Sequence, residues 1–148
     1  MGDYYVKLIP FDPNFVPKKE TLDKLEGLLP VLKTWALEVN IINKDQPIFI
    51  DQGQYFDSIS CPFCNQQLDT EWWHKAINKA SLTNFLNLKT LLPCCRKIIS
   101  LNDLDYVFPA GFARFAIELL EPGLMEDDEV EWLQQQLGFK LKRIEAKY

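Results

Sequence analysis

Phe112-Ala113-Arg114-Phe115-Ala116-Ile117-Glu118-Leu119-Leu120 is a short apolar run that stops at Glu121-Pro122-Gly123. Its length and its Pro-Gly stop read as a strand, whereas Phe112, Phe115, Ile117 and Leu119, taken loosely, also suit a helix. The fold turns on that choice. As a strand, the run is followed by an amphipathic helix: Asp127, Asp128 and Glu129 place negative charge on the exposed N–H groups of its first turn. Val130, Leu133 and Leu137 form its apolar stripe. Gly138 is positioned to cap it, and Phe139-Lys140-Leu141-Lys142-Arg143-Ile144 then reads as a last strand.

The other end of the chain shows the same scheme. Tyr4-Tyr5-Val6-Lys7-Leu8-Ile9 is aromatic and β-branched, and Pro10, Pro13 and Pro17 mark the connection after it. Leu22, Leu25, Leu28, Leu29 and Leu32 recur at spacings of three and four on a helix from Lys18, which Pro30 is expected to kink or end. A strand over Pro47-Ile48-Phe49-Ile50 follows the polar turn Asn43-Lys44-Asp45-Gln46. A strand-helix-strand unit at each end predicts a single α+β domain over 1–148: a ferredoxin-like split βαβ sheet with its helices on one face. Residues 61–100 become an insertion between the halves.

At 148 residues, with 47% hydrophobic and 25% charged side chains, the chain can bury one sizeable core. A net charge of −5 disfavours wrapping a phosphate backbone, which needs a dense Lys/Arg surface, and suits a basic protein partner. No signal-peptide pattern opens the chain and no apolar run reaches membrane-spanning length, so a cytoplasmic protein is expected. Thiols stay reduced there, and the four cysteines read as metal ligands rather than disulfides.

All four fall in the insertion, as Cys61-Pro62-Phe63-Cys64-Asn65 and Leu92-Pro93-Cys94-Cys95-Arg96. C-P-x-C is a knuckle in which two thiolates converge on one ion while backbone amides offset their charge. Asn65 stands where glycine is usual and tolerates positive φ. Aligned on proline, the second copy has Leu92 in the first ligand place and Cys94 in the spacer. Adjacent cysteines on an extended backbone point apart, but a tight turn brings both to one metal. Cys61, Cys64, Cys94 and Cys95 are therefore the first choice for one structural Zn2+, with His74 the alternative to Cys94. The plainer role of His74 is a partly buried residue beside Trp72 and Trp73 on a helix over 69–77.

CPFC and LPCC, with WWHKA between, SLNDLDY after and GFARFAIELLEP closing the segment, resemble a bacterial family of small zinc-ribbon-containing proteins; the likeness spans most of 47–148. The resemblance implies a zinc ribbon and carries no catalytic role. Small acidic bacterial proteins of this kind often serve as immunity or antitoxin partners, which is an analogy of type and not a motif match.

Three functions compete. A non-enzymatic module that binds and neutralises a basic toxin or effector would use Trp72, Trp73, Glu126, Asp127, Asp128 and Glu129, although core packing and helix capping are their plainer roles. A zinc hydrolase or deaminase-like enzyme would need His74 with Glu71, but the glutamate two residues after the histidine that zinc deaminases use is Ala76 here. A nucleic-acid-binding ribbon would use Lys75, Lys79, Lys89, Arg96 and Lys97, diluted by Asp69 and Glu71. The partner-binding reading ranks first. Asp103 and Asp105 read as a capped helical turn, not a calcium loop.

Overall fold

A computed structural model describes residues 2–123 and 125–148. In chain order it contains β1 (Tyr4–Pro10), α1 (Lys19–Trp35), β2 (Glu38–Ile50), β3 (Ser58–Ser60), α2 (Thr70–Ser81) and β4 (Lys89–Leu91). There follow β5 (Ile98–Ser100), a 3-10 turn at Leu101–Asp103, β6 (Asp105–Val107), β7 (Gly111–Leu120), α3 (Asp127–Leu137) and β8 (Leu141–Lys147). The architecture is α+β, with one antiparallel sheet in the order β2-β7-β1-β8 and two small sheets, β3-β6 and β4-β5.

The deciding stretch is a strand. β7 pairs with β1, Lys7 opposite Glu118, and with β2, Ile41 opposite Ile117. Phe115, Ile117 and Leu119 join Val6 and Leu8 in one core, whereas Ala113 and Ala116 join Ile9 and Ile144 in another. A strand buried on both faces reads as a near-continuous apolar run, which is why periodicity alone did not separate it from a helix. Leu25 and Leu32 of α1 and Val130, Leu133 and Leu137 of α3 share the first of these cores, so both helices cover the same face. Trp35 and Trp132 close their contact edge to face, with centroids 5.7 Å apart. Gly138 ends α3 at φ 85°, a left-handed conformation that glycine adopts without a Cβ clash.

Two expectations are corrected. Pro30 neither ends α1 nor stops it short of Trp35. Proline removes one N–H and orphans the carbonyl four residues earlier, but Pro30 and Glu26 are both exposed, which puts that carbonyl on the solvent side of the helix. Leu25 and Leu32, buried on either side, hold the helix to the sheet. Likewise, Asn43-Lys44-Asp45-Gln46 does not precede the second strand but lies inside it. Pairing with β7 shifts register between Asn43, opposite Phe115, and Ile48, opposite Ala113. Arg114 Nε donates to the Lys44 carbonyl at 3.0 Å and holds the excursion in place.

Between β2 and β7 the inserted segment builds a core of its own. Ile59, Leu88, Leu92, Ile99, Leu101 and Tyr106 pack with Trp73 and Ala80 of α2, and Phe112 of β7 joins them. The apolar positions of α2, at Trp73, Ala76, Ile77 and Ala80, follow helical spacing, and Asp69 caps its start by accepting the Glu71 N–H at 3.0 Å. Asn102 ties this unit to the sheet: its Oδ1 accepts the Phe112 N–H at 2.8 Å and its Nδ2 donates to the Phe11 carbonyl at 3.0 Å. A Cβ on Gly111 would lie 3.0 Å from that Oδ1 and 3.0 Å from Ile9 Cδ1, so a larger residue there would push on both side chains. At the other root of the unit, the Gln54 N–H donates to the Lys147 carbonyl at 2.7 Å.

Candidate metal centre

The two cysteine stretches form the same turn. Cys61 N–H donates to the Gln66 carbonyl at 2.9 Å and Asn65 N–H to the Cys61 carbonyl at 2.8 Å. In the second copy Leu92 N–H donates to the Lys97 carbonyl at 2.9 Å and Arg96 N–H to the Leu92 carbonyl at 3.1 Å. The fifth residue of each has positive φ, 62° at Asn65 and 57° at Arg96. Alignment on proline is therefore an alignment of backbones: Leu92 takes the place of Cys61, and Cys94 that of Phe63.

The turn solves the problem of adjacent cysteines. All four are free thiols, and their sulfurs lie within 4.8 Å of one another. Cys61 Sγ is 3.8 Å from Cys95 Sγ, and Cys94 Sγ is 3.9 Å from Cys95 Sγ. Zinc–thiolate bonds of about 2.3 Å in a tetrahedron put sulfurs about 3.8 Å apart, so the cluster has the size of a complete four-sulfur site. Leu92, fully buried, spends the vacated ligand place on the core instead. Phe63, in the spacer of the first turn, faces outward beneath Lys97, whose Nζ is 4.6 Å from the ring centroid and joins the two turns.

Local electrostatics already favour charge on one sulfur. Burial works against the Cys61 thiolate, but backbone N–H groups of Cys64 and Phe63 and the thiols of Cys94 and Cys64 outweigh it and lower its pKa to about 7. Burial, together with hydrogen bonds to Cys64, Cys61 and Cys95, pushes Cys94 up to about 12. Four thiols this close cannot all ionise without a cation among them, and a divalent ion would supply that charge.

His74 lies outside this cluster, exposed on α2 with its ring 5.2 Å from that of Trp73. Glu71 does not turn to it, since its Oε1 lies 3.9 Å from Lys75 Nζ one turn on. Of the aromatic pair, Trp73 is buried and donates from Nε1 to the Tyr106 hydroxyl at 3.1 Å, while Trp72 is half-buried. Glu126, Asp127 and Asp128 are exposed at the start of α3, and Glu129 accepts the Glu126 N–H at 3.2 Å. Ser100 caps the turn that carries Asp103 by accepting the Asn102 N–H at 3.2 Å.

One cluster escaped the sequence reading. Lys7, 5% exposed in the middle of the sheet, donates to Tyr148 OH at 2.6 Å and to Asp51 Oδ1 at 3.2 Å. Glu118 Oε2 lies 4.0 Å away, and Tyr148 OH donates to Asp51 Oδ1 at 2.9 Å. The one signal was a lysine at an inward position of an apolar strand. Its partners, distant in sequence, gave none.

Comparison of the chain with protein-family models, curated proteins and solved structures found no match. Of the resemblance to zinc-ribbon proteins, what stands is the thiol cluster, which is compatible with a zinc site. Among the described residues no helix is long and apolar enough to cross a membrane.

Proposed function

We propose that the chain is a non-enzymatic, zinc-stabilised protein-binding module that neutralises a basic toxin or effector in the manner of an immunity or antitoxin protein. Its sheet is read as a ferredoxin-like split βαβ, because β1-α1-β2 and β7-α3-β8 interleave as β2-β7-β1-β8 with both helices on one face. The observation that carries the reading is the four-sulfur cluster. Its tetrahedral size supports a closed ligand set, and a closed set holds structure where a catalytic zinc needs an open position. The metal then fixes two short hairpins on a sheet whose acidic corner, at Glu126, Asp127 and Asp128, meets the basic partner.

The test is co-expression with the product of the adjacent gene, scored by growth rescue and by co-purification. Rescue that weakens when Glu126 and Asp128 are both changed to Lys supports the reading. Failure of both rescue and co-purification, with turnover of a small substrate that depends on Glu71 and His74, overturns it.

A further inference from the structure

The β4-β5 hairpin turns one face inward and the other to solvent. Leu88, Leu92, Ile99 and Leu101 are buried in the unit's core. Residues opposite one another, Lys89 with Ser100 and Leu91 with Ile98, point the other way, since side chains alternate along a strand. Leu91 is 55% exposed and Ile98 69%, a directly opposed apolar pair left in water. Two grooves flank it: one of ≈ 440 Å³ between the pair and Lys79 of α2, and one of ≈ 490 Å³ reaching Phe63 of the first turn, with Asp103 at its margin. Phe63 is itself 52% exposed. A continuous apolar strip of this kind marks an interaction surface.

Apart from Asp103, the charge around the strip is positive. Five of the chain's 16 Lys and Arg residues (Lys75, Lys79, Lys89, Arg96 and Lys97) fall within 72–102, and none of its 21 Asp and Glu residues does. An otherwise acidic protein therefore presents a basic, apolar face on its cysteine-bearing unit. We propose that this face docks an acidic protein segment carrying apolar side chains, which seat on Leu91, Ile98 and Phe63 while its carboxylates meet Lys79, Lys89 and Lys97. This surface is separate from the acidic corner of α3 and is independent of the toxin reading.

Nucleic acid fits the face less well. Sequence-tolerant binding of single strands rests on successive aromatic platforms. Here Phe63 stands alone among aliphatic neighbours, and one face of its ring is covered by Lys97. Aliphatic side chains bury well against leucine or valine but stack poorly on bases.

The experiment uses the metal-loaded full chain and three fluorescein-labelled probes: a twelve-residue peptide alternating Glu and Leu, its Lys/Leu counterpart, and a twenty-nucleotide oligo-dT. Anisotropy should show the Glu/Leu peptide binding, tightening at low salt, and weakening at least tenfold in Ile98→Ser and in the double variant Lys89→Glu, Lys97→Glu. All three positions are exposed, and unchanged zinc content and helix signal in the variants separate lost docking from lost folding. Preference for oligo-dT, equal binding of both peptides, or no binding of the Glu/Leu peptide at millimolar concentration overturns the proposal.

Discussion

Trp73 donates its indole N–H to the Tyr106 hydroxyl at 3.1 Å, and that hydroxyl donates in turn to the Leu101 carbonyl at 2.6 Å. This relay joins α2, β6 and the turn before β6 inside the unit's buried core. Tyr106→Phe keeps the ring but leaves one buried donor and one buried acceptor unpaired. The variant should lose about 1–3 kcal/mol of stability, read as a lower urea midpoint at unchanged slope. An unchanged midpoint would show that water replaces the hydroxyl.

Zinc-loaded protein should carry about one ion per chain, because the thiols supply one tetrahedral set. Cys61→Ser, Cys64→Ser, Cys94→Ser and Cys95→Ser should each release the ion and expose Trp73 fluorescence to water, whereas His74→Ala should retain it. Metal analysis of the purified variants decides between Cys94 and His74 as fourth ligand.

Arg96 holds φ 57° without the freedom of glycine. Arg96→Gly should therefore stabilise the loaded protein by about 1 kcal/mol, since a side chain in the left-handed region costs roughly that much. Thermal melting at saturating zinc is the check, and a fall in melting temperature would mean that the arginine makes a compensating contact.

Pro30→Ala should strengthen α1. The substitution restores a helical N–H at an exposed position and should add about 1–3 kcal/mol, with helix content by circular dichroism unchanged or slightly higher.

Burial works against the charge on Asp51, yet the Tyr148 hydroxyl, the Lys7 ammonium and the Gly53 N–H together hold its carboxyl below the ordinary 3.8. A lowered carboxylate contributes stability that is present above that ordinary value and lost as pH falls through the lower folded one. Asp51→Asn should cost about 1–3 kcal/mol at pH 7, because buried Lys7 loses a counter-charge and the Gly53 N–H loses its Oδ2 acceptor. The gap between wild type and variant should narrow in urea titrations carried from pH 5 down to pH 2.

The first knuckle was legible because everything that shapes it is local: a proline, two thiols and a residue tolerant of positive φ within five positions; the second keeps the proline and two thiols, but Arg96 at its positive-φ position gave no such signal. The strand at Phe112 was legible from its length and its Pro-Gly stop. The course of β2 was not, since Asn43 to Gln46 look like a turn until β7 lies beside them and absorbs the extra residues as a bulge. Pro30 misled for a similar reason: whether a proline ends a helix depends on whether water can reach the orphaned carbonyl, and exposure is a tertiary property. Lys7 meets Asp51 and Tyr148 only because β1 and β8 pair and β2 ends nearby. That Leu91 and Ile98 face solvent was not legible, since only the hairpin's packing reveals which of its faces the core takes.

β1 and β2 are never partners; each pairs with β7, which is not complete until Leu120. During synthesis the first two strands of the sheet therefore wait, unpaired with each other, while the intervening residues emerge. The last of the thiols, Cys95, is made before β7 begins. The thiol cluster can thus assemble early in the life of each molecule and the sheet close late; under the proposed zinc reading, a nascent chain starved of the ion would reach its long-range strand pairing with the middle still unsettled, and with two edges open to misassociation in the meantime.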